Sequence, residues 1–249
     1  MEKIIGPIIN GVAPEVECLG CRENCCKSCF GSEGCNLFRE LTPEELHSVV
    51  EDKREIVFRP GETIFKQNTG SSNIICIKSG IAKMYVEGAK NKNLILNIIK
   101  NNEIILSGGI LSNSIRPYTV AAITHVECCF ISSERIVQLL LTNSRFALSF
   151  LEHYHAQRNH MFNTLVNLTQ KYMPGKVADT LLNLKNNVFG SNPFQVPFSR
   201  QELAEMSAMT KESFVRILTE FRSSGLVRIS GKMMEIVDEK GLIELSRNG

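Results

Sequence analysis

Cysteine is the residue type through which this sequence offers the most chemistry. Six of its nine cysteines fall between positions 18 and 35, in the stretch CLGCRENCCKSCFGSEGC. Two more, Cys128 and Cys129, are adjacent much further along the chain. Clustered thiols form disulfides, bind zinc or hold an iron–sulfur cluster. The cellular compartment and the rest of the sequence must decide which of these roles the cysteines have.

The N-terminus and the hydropathy pattern argue against an exported or membrane protein. No apolar run approaches the roughly eighteen residues that a membrane span needs. The opening MEKIIGPIINGVAPEVE has too short and too interrupted an apolar stretch for a secretory signal. We therefore expect a cytoplasmic protein with no membrane partner. In that reducing compartment, clustered cysteines are metal ligands or redox groups more often than disulfides.

Composition limits the classes of function. The chain has 249 residues, of which 43% are hydrophobic, enough to bury a sizeable core as one large domain or two small ones. Its net charge of +2 is too small for a wholly basic nucleic-acid binder, so a DNA partner would need a local basic patch. The sequence has no Ser-His-Asp pattern or paired carboxylates typical of an enzyme, and we expect no catalysis.

The chain after the cysteine cluster changes character twice. Residues 54–131 contain short runs rich in Ile, Val, Phe and Tyr between Gly and Pro turn signals, which predicts the strands of a sandwich or barrel. From Ser132 to about Tyr172, Gly and Pro are absent and apolar residues recur at helical spacing. This pattern predicts one or two helices, the second long. Pro174 and Gly175 then predict a domain boundary.

The predicted long helix carries a narrow apolar stripe. Its members, separated by three, four or seven residues, are Leu151, Tyr154, Met161, Leu165, Leu168 and Tyr172. Such a stripe is typical of a helix that faces a partner helix, and packing against the chain's own barrel is the alternative. Arg158 also falls on the stripe. In a symmetric pair two such arginines would oppose each other, so we predict that Arg158 tunes dimerisation.

The C-terminal region has the pattern of a winged helix. Ser199 and Glu202 have the spacing of a capping box, and Thr210 predicts the cap of a second helix. Two short strands joined at Gly231 and Lys232 would form the wing. Helix, tight turn and helix is a DNA-binding layout. A metal-storage protein or redox carrier would explain the cysteines but would give this region no role.

With these features, the sequence resembles the CRP/FNR superfamily of bacterial transcription regulators over nearly its whole length. FRPGETIFKQNTGSSNIICIKSGIAKMY resembles the family's opening barrel motif, and SRQELAEMSAMTKESFVRILTEFRSSGLV resembles its helix-turn-helix signature. The resemblance implies an α+β fold: a cyclic-nucleotide-binding-like β-barrel of jelly-roll type, a long dimerisation helix and a C-terminal winged helix. The predicted division is a Cys-rich segment over 1–40, the sensory barrel over 41–133, the helical region over 134–173 and the DNA-binding domain over 174–249.

The resemblance also gives the cysteines a role. In the oxygen-sensing FNR branch, three N-terminal cysteines spaced C-x2-C-x5-C and one on a late barrel strand hold a [4Fe-4S] cluster, which places the ligands at Cys26, Cys29, Cys35 and Cys129. Cys128 falls one residue early, and only one of two adjacent strand residues faces a given site. Tetrahedral zinc suits four thiolates too and remains an alternative. Three thiols exceed this set as candidate extra ligands: Cys18, Cys21 and Cys25.

Cyclic nucleotide is a rival effector, because many relatives with this barrel bind cAMP through an Arg-Ser/Thr pair. Here Pro117 and Tyr118 stand where that pair would be, and Arg116 is one residue early. The absence of the Arg-Ser/Thr pair at these positions argues against cAMP as the effector. Glu103 and Arg116 could instead line a pocket for another small-molecule effector. Haem is disfavoured because no CxxCH motif is present. Cys76 lies in an apolar strand, and we predict that it is part of the core.

On the second helix of the motif, the resemblance implies that Glu212 and Arg216 contact base edges, with the basic Lys211 before them. Their spacing of four places Glu212 and Arg216 on one helix face. Glu accepts from cytosine N4, and Arg donates to guanine O6 and N7. A surface ion pair between the two is the alternative. The predicted phosphate contacts are Thr210, Ser213, Arg200 and Lys232.

The resemblance as a whole implies a homodimeric regulator that binds a palindromic operator in double-stranded DNA. RNA polymerase would be a further partner. Oxygen or nitric oxide acting on the cluster would control helix pairing and so operator binding. The alternative is a regulator of the same type without a cluster, controlled by a small molecule in the barrel or by a structural zinc site.

Overall fold

The computed structural model describes residues 36–51, 53–70, 72–89, 92–106 and 115–248. It begins with a 3₁₀ turn (Asn36–Glu40) and helix α1 (Pro43–Glu51). The strands that follow are β1 (Arg54–Phe58), β2 (Thr63–Phe65), β3 (Asn73–Ser79), β4 (Ala82–Val86), β5 (Leu94–Ile99), β6 (Ile104–Ile105), β7 (Thr119–Ala122) and β8 (Val126–Ser132).

These strands form two antiparallel sheets packed face to face. The strand order is β1-β8-β3-β6 in one sheet and β2-β7-β4-β5 in the other. Between them lies an apolar core that includes Ile75, Ile77, Val120 and Cys128. Gly80 forms the β3–β4 turn at φ +93°, and a β-carbon there would overlap the His125 carbonyl, so this turn requires glycine. The predicted jelly-roll-like sandwich is confirmed.

Strands β3 and β8 have a second buried face. Ile74, Cys76, Cys129 and Ile131 point away from the sandwich core into a separate apolar cluster. That cluster also contains side chains from the 3₁₀ turn and from the two helices after β8. Burial on both faces explains why the β3 sequence NIICIKS is a nearly continuous apolar run instead of an alternating one.

Two helices follow the sandwich, as predicted: α2 (Ser133–Thr142) and α3 (Ser144–Gln170). Asn143 separates them and caps α3, because its side chain accepts a hydrogen bond from the Phe146 N–H at 3.0 Å. Helix α3 has 27 residues and is about 40 Å long. Phe146 and Phe150 are buried against the sandwich, whereas most later residues of α3 are exposed. The prediction of a long second helix is confirmed.

The remaining elements form a winged helix. They are α4 (Met173–Asn183), a π-helical turn (Leu184–Phe189), β9 (Phe194–Gln195), α5 (Arg200–Met206), α6 (Lys211–Ser223), β10 (Val227–Ser230), β11 (Met233–Ile236) and α7 (Glu239–Asn248). The three strands pair in the order β10-β11-β9. The capping box of Ser199 and Glu202 and the Thr210 cap are both present, as predicted.

The helical conformation is interrupted between α3 and α4 at Lys171 and Tyr172, whose backbones are both extended. Pro174 lies in the first turn of α4, where its missing N–H costs no hydrogen bond. Gly175, which the sequence suggested as a bending point, is helical and buried. The domain boundaries after residues 40, 133 and 173 stay predictions. Of the helices in the described ranges, none is long and apolar enough to cross a membrane.

Candidate functional site

Helix α6 presents the residues predicted to read DNA on its outer face. Its inner face is fixed by apolar side chains at helical spacing, namely Phe214, Ile217, Leu218 and Phe221, all buried. The opposite face therefore points to solvent, and Lys211, Glu212 and Arg216 are all exposed there. The structure places the predicted base-contacting residues together on one accessible surface.

Arg216 has a different ion-pair partner from the one considered above. Its Nη1 lies 2.9 Å from Glu220 Oε1, one turn further along α6. The alternative pairing of Arg216 with Glu212 is therefore not the one in the structure. Both Arg216 and Glu220 are more than half exposed. Because exposed pairs of this kind contribute little to stability, Arg216 can exchange Glu220 for a base edge. The i,i+4 spacing would have identified Glu220 in the sequence.

Two of the four predicted phosphate contacts lie beside one cleft. Arg200 at the start of α5 and Lys232 in the wing line an open cavity of about 210 Å³ together with Ser199 and Gly231. Two positive side chains beside a groove are suited to a DNA phosphate. Thr210 and Ser213 are occupied locally: the Thr210 hydroxyl accepts from the Ser213 N–H at 3.3 Å and donates to the Ser213 hydroxyl at 3.2 Å.

A buried polar pair holds the turn between α5 and α6. The Thr180 and Ser207 hydroxyls are 2.8 Å apart, and Ser207 Oγ also donates to the Leu203 carbonyl at 3.1 Å. This contact ties α4 to the helix-turn-helix and orients α6. We did not predict this contact, although Thr180 within the otherwise apolar buried face of α4 was a signal in the sequence.

The predicted dimer residues lie on an uncovered face of α3. Leu151 is 60% exposed and Leu165 is 58% exposed, and Tyr154, Met161 and Arg158 are also exposed. Leu168 is half-buried. Leu148, Phe162 and Val166 extend the same exposed apolar surface and were not predicted. The alternative in which this stripe packs against the barrel is wrong for these exposed members.

Different side chains of α3 face the barrel. Gln157 Nε2 donates to the Ile104 carbonyl at 2.8 Å and lies 3.0 Å from His153 Nε2. Burial lowers the pKa of His153 below its usual value, although a hydrogen bond with the Ile104 backbone opposes the shift. His153 and Gln157 therefore fasten the middle of α3 to strand β6.

The adjacent cysteines of β8 face opposite sides of the sheet, as strand alternation requires. Cys129 belongs to the cluster with Leu37 and Phe38, whereas Cys128 belongs to the sandwich core and its thiol donates to the Ile56 carbonyl at 3.6 Å. Cys76 is fully buried opposite Cys129, which confirms the prediction that it is part of the core.

Six predicted ligands or extra ligands lie outside the described residues: Cys18, Cys21, Cys25, Cys26, Cys29 and Cys35. Within the part of the chain that the structure describes, no three His, Cys, Asp or Glu side chains are grouped to hold a metal. Of the four cluster ligands that we predicted, that part contains Cys129 alone.

The segment that directly follows Cys35 is docked onto the start of α3. Leu37 and Phe38 are fully buried, and the Phe38 ring stacks on Phe146 with centroids 6.2 Å apart. The Asn143 amide donates to the Glu40 carbonyl at 3.0 Å and to the Glu45 carboxylate at 2.8 Å. The 3₁₀ turn is therefore fixed to the same residues that begin the long helix.

The residues of the predicted effector pocket, Glu103 and Arg116, adjoin different sheets of the sandwich. Glu103 precedes β6 in one sheet and Arg116 precedes β7 in the other, and no hydrogen bond or ion pair joins them among the described residues. The Arg116 guanidinium lies 4.5 Å above the Phe65 ring, and Nη1 donates to Thr69 Oγ1 at 3.3 Å. Residues 107–114, between the two positions, lie outside the described residues.

Burial changes the titration of this region. Burial raises the pKa of the Glu103 carboxyl above its usual value. Burial also raises the pKa of the Tyr118 hydroxyl to about 12, against the opposing effect of Arg116. Tyr118 donates its proton to the Leu106 carbonyl at 3.0 Å. The Tyr118 hydroxyl is therefore already hydrogen-bonded within the barrel.

The architecture is that of a β-sandwich joined by a long helix to a winged helix. Residues 55–143 match the cyclic nucleotide-binding domain, and residues 175–245 match the Crp-like helix-turn-helix domain. The chain belongs to the CRP/FNR superfamily and is a DNA-binding transcription regulator. Members of this superfamily are transcription regulators, which are not enzymes.

Relatives cover almost the whole chain. It is 25% identical over 231 residues to the transcriptional activator protein FnrA of Stutzerimonas stutzeri, a match that covers 90% of this chain and 93% of that protein. It is 22% identical to the fumarate and nitrate reduction regulatory protein of Escherichia coli, over 89% of this chain and 90% of that one. The fold resembles that of FixK2 from Bradyrhizobium japonicum, with a TM-score of 0.71, 15% identity and coverage of 78% and 96% of the two chains.

Proposed function

We propose that this regulator binds a palindromic operator as a homodimer and senses oxygen or nitric oxide through a [4Fe-4S] cluster held by Cys26, Cys29, Cys35 and Cys129. One observation carries the sensing part of the proposal. Cys129 shares its apolar cluster with Leu37 and Phe38, the residues that come just after Cys35 in the sequence. The chain therefore approaches Cys129 on the face of β8 to which its side chain points.

The donor set fits an iron–sulfur cluster. Four cysteine thiolates are its usual ligands, and an apolar surrounding limits access of solvent. Cys129 is fully buried, whereas Cys128 lies on the opposite face and is hydrogen-bonded to Ile56. When bound, such a cluster supplies a centre that reacts with oxygen and nitric oxide. The name of the E. coli relative, the fumarate and nitrate reduction regulatory protein, is consistent with control by respiratory conditions.

The residues between the proposed ligands and the dimer surface provide the coupling. The 3₁₀ turn contacts the start of α3 in two ways: the Phe38 ring stacks on the Phe146 ring, and the Asn143 side-chain amide donates a hydrogen bond to the Glu40 carbonyl. The same helix carries the exposed apolar surface around Leu151 and Leu165. A change that releases the N-terminal segment would therefore act on the helix through which two copies pair.

The exposed surfaces of α3 and α6 support the proposed partners. Pairing of two α3 helices would cover the apolar stripe, and Arg158 on that stripe would weaken the pair. Two α6 helices, each with Glu212 and Arg216 outward, would then enter successive major grooves of a palindromic site, with a G·C pair under Arg216. Because the chain is a transcription regulator, we assign RNA polymerase as the further partner of the DNA-bound dimer.

A comparison of buried cysteine variants tests the cluster. We expect Cys129→Ala, purified without air, to lose most of its iron, acid-labile sulfide and visible absorbance. Cys128→Ala and Cys76→Ala are matched controls, because Cys128 is buried on β8, the strand of Cys129, and Cys76 is buried on the neighbouring strand β3. Both variants should retain the iron and sulfide content of the wild type. Each variant removes one sulfur atom from the core, so a thermal melt checks that all three remain folded.

Two results would contradict the sensing proposal. One is a Cys129→Ala protein with wild-type iron and sulfide. The other is a colourless wild-type protein that holds zinc or no metal. The second result would leave the DNA-binding assignment intact and favour the alternative regulator, controlled by structural zinc or by a small molecule near Glu103 and Arg116. Within the described residues, the buried Arg116 Nε has no hydrogen-bond partner, so it could donate to such a ligand.

A further inference from the structure

The sandwich and the winged helix share a packed contact. Ile95 and Ile98 of β5 are buried in the same apolar cluster as Phe198 and Leu203 of the winged helix. Ile81, Tyr85 and Ile123 of the sandwich border this cluster and are half-buried. Helix α5 lies directly against β5. The sensory and DNA-binding parts are thus joined by a side-to-side contact as well as through α3.

Two polar links cross the edge of this contact: Lys100 Nζ donates to the Asn187 carbonyl, and the Glu202 carboxylate pairs with Lys83. Glu202 Oε1 accepts a hydrogen bond from Lys83 Nζ of β4 at 2.8 Å. Its other oxygen accepts from the Ser199 N–H at 2.8 Å and from the Ser199 hydroxyl at 2.9 Å. Glu202 therefore caps α5 and binds the sandwich at the same time.

The ion pair is well enclosed. The side chains of Lys83 and Glu202 are 18% and 19% exposed. Burial opposes ionisation of Glu202, but the hydrogen bonds from Lys83 and Ser199 and the charge of Lys83 outweigh it, so the pKa of the carboxyl is below its usual value. Sequestered pairs of this kind respond more strongly to the loss of one partner than exposed pairs do.

Helix α3 does not continue into the winged helix. Lys171 and Tyr172 are extended between α3 and α4, and short non-helical connections of this kind permit rotation between domains. The contact also leaves the DNA-reading surface free. It uses α5, β4 and β5, whereas Glu212 and Arg216 on α6 remain exposed.

We infer that Lys83 is a positioning residue for operator binding: through Glu202 it fixes the angle of the winged helix against the sandwich, and so the spacing of the two α6 helices in a dimer. The inference rests on the dimeric operator binding proposed above and not on the cluster. The half-sites of such operators are about one helical turn apart. A fixed angle therefore matters for two half-sites bound together and not for one.

Half-site and full-site DNA separate positioning from simple destabilisation. The probes are a palindromic fragment selected by the wild-type chain from a randomised DNA pool, the same fragment with one half-site scrambled, and versions with a lengthened spacer. For Lys83→Met in the full chain, purified without air, we expect affinity for the palindrome to fall about tenfold, a typical size for coupling between domains. Half-site affinity should stay at the wild-type value, and discrimination against the lengthened spacer should weaken.

Two variants with opposite changes of charge test whether the loss of affinity is simply a loss of electrostatic attraction to DNA. Lys83→Met removes a positive charge and Glu202→Gln removes a negative one, so a purely electrostatic effect on DNA would have opposite signs. Gln preserves the capping box with Ser199. We expect both variants to weaken palindrome binding. Lys185→Met is the matched control, because it breaks a pair with Glu239 inside the winged helix at 2.6 Å and Lys185 is similarly enclosed, at 17% exposed.

The outcomes are distinct. Unchanged palindrome affinity in Lys83→Met, or an equal loss on the palindrome and the half-site, would overturn the inference. Tighter palindrome binding would also overturn it, because the contact would then restrain the inactive arrangement. Sedimentation measures the dimer fraction of Lys83→Met, which we expect to equal that of the wild type, because the inference concerns the angle of the winged helix and not dimerisation. A wild-type chain that selects no palindrome would instead refute the proposed operator binding, and the inference with it.

Discussion

Arg216 is the side chain on which we expect base recognition to depend most. Its exposed guanidinium is held by Glu220 at 2.9 Å in the absence of DNA. Arg216→Met should weaken binding to the selected palindrome by about 1–3 kcal/mol and relax base preference at one position of each half-site. Lys232→Met should instead weaken binding to all sequences and reduce the salt dependence. Binding titrations on single-base variants of the palindrome distinguish these effects, and an unaltered base preference in Arg216→Met would contradict the assignment.

We expect His153 to make the stability of the protein depend on pH. Burial lowers its folded-state pKa below the ordinary value of 6.5, so the unfolded chain binds the proton more tightly. The free energy of unfolding should therefore fall as the pH is lowered from about 7 to about 5.5. His153→Gln should remove part of this dependence. Urea unfolding at several pH values is the measurement, and the exposed His160 provides the control variant, His160→Gln. Equal slopes for wild type and His153→Gln would contradict the prediction.

Some residue roles could be predicted from the sequence and others could not. Strand alternation was enough to predict that Cys128 and Cys129 face opposite sides of β8, and helical spacing placed Glu212 and Arg216 on one face of α6, whereas the roles of these residues stay predictions. The second function of Glu202 was not predictable, because the capping box explains that residue completely without Lys83. Arg116 on Phe65 was missed for a similar reason, since it depends on a contact between distant strands.

Among the elements, α3 carries the clearest test of dimerisation. Arg158 interrupts an exposed apolar stripe, and replacing it with an apolar residue should extend the paired surface. We expect Arg158→Leu to lower the dimer dissociation constant by about tenfold, which corresponds to about 1.4 kcal/mol. Arg145→Leu is the matched control, because Arg145 is also exposed on α3 but lies off the stripe. Sedimentation equilibrium in the absence of air measures both, and equal dimer constants would contradict the assigned interface.

The docking of the 3₁₀ turn on α3 is a second property of an element. Asn143→Asp keeps an oxygen that can cap α3 but removes the amide that donates to Glu40 and Glu45. Backbone amide exchange should therefore become faster in the turn (Asn36–Glu40) and stay slow in the first turns of α3. Hydrogen exchange with mass spectrometry measures both regions. Uniform protection in wild type and variant would show that Asn143 does not hold the turn.

Most elements were predictable because they follow local patterns. The capping box, the helical spacing around Phe214 and the absence of Gly and Pro from α3 all operate within a few residues. The strand order β1-β8-β3-β6 was not predictable, since it depends on pairing between distant parts of the chain. The second buried face of β3 was also hidden, because a continuous apolar run does not tell which layers cover it.

At the scale of the whole molecule, two routes connect the β-sandwich to the DNA-binding winged helix. One runs from the 3₁₀ turn to α3 and its dimer surface, and the other runs from β4 and β5 to α5 through Lys83 and Glu202. These two residues are 119 positions apart in the chain. No sequence pattern would have paired them. In our account the first route controls pairing of the copies, and the second sets the angle of each reading helix.

The most direct test of the account is the visible absorbance, acid-labile sulfide and palindrome affinity of one preparation, purified without air and then exposed briefly to air. We predict a brown protein with sulfide close to its iron content, whose colour and affinity for the palindrome are lost together. A colourless preparation, or a brown one that binds the palindrome equally well after bleaching, would contradict control of DNA binding by a cluster.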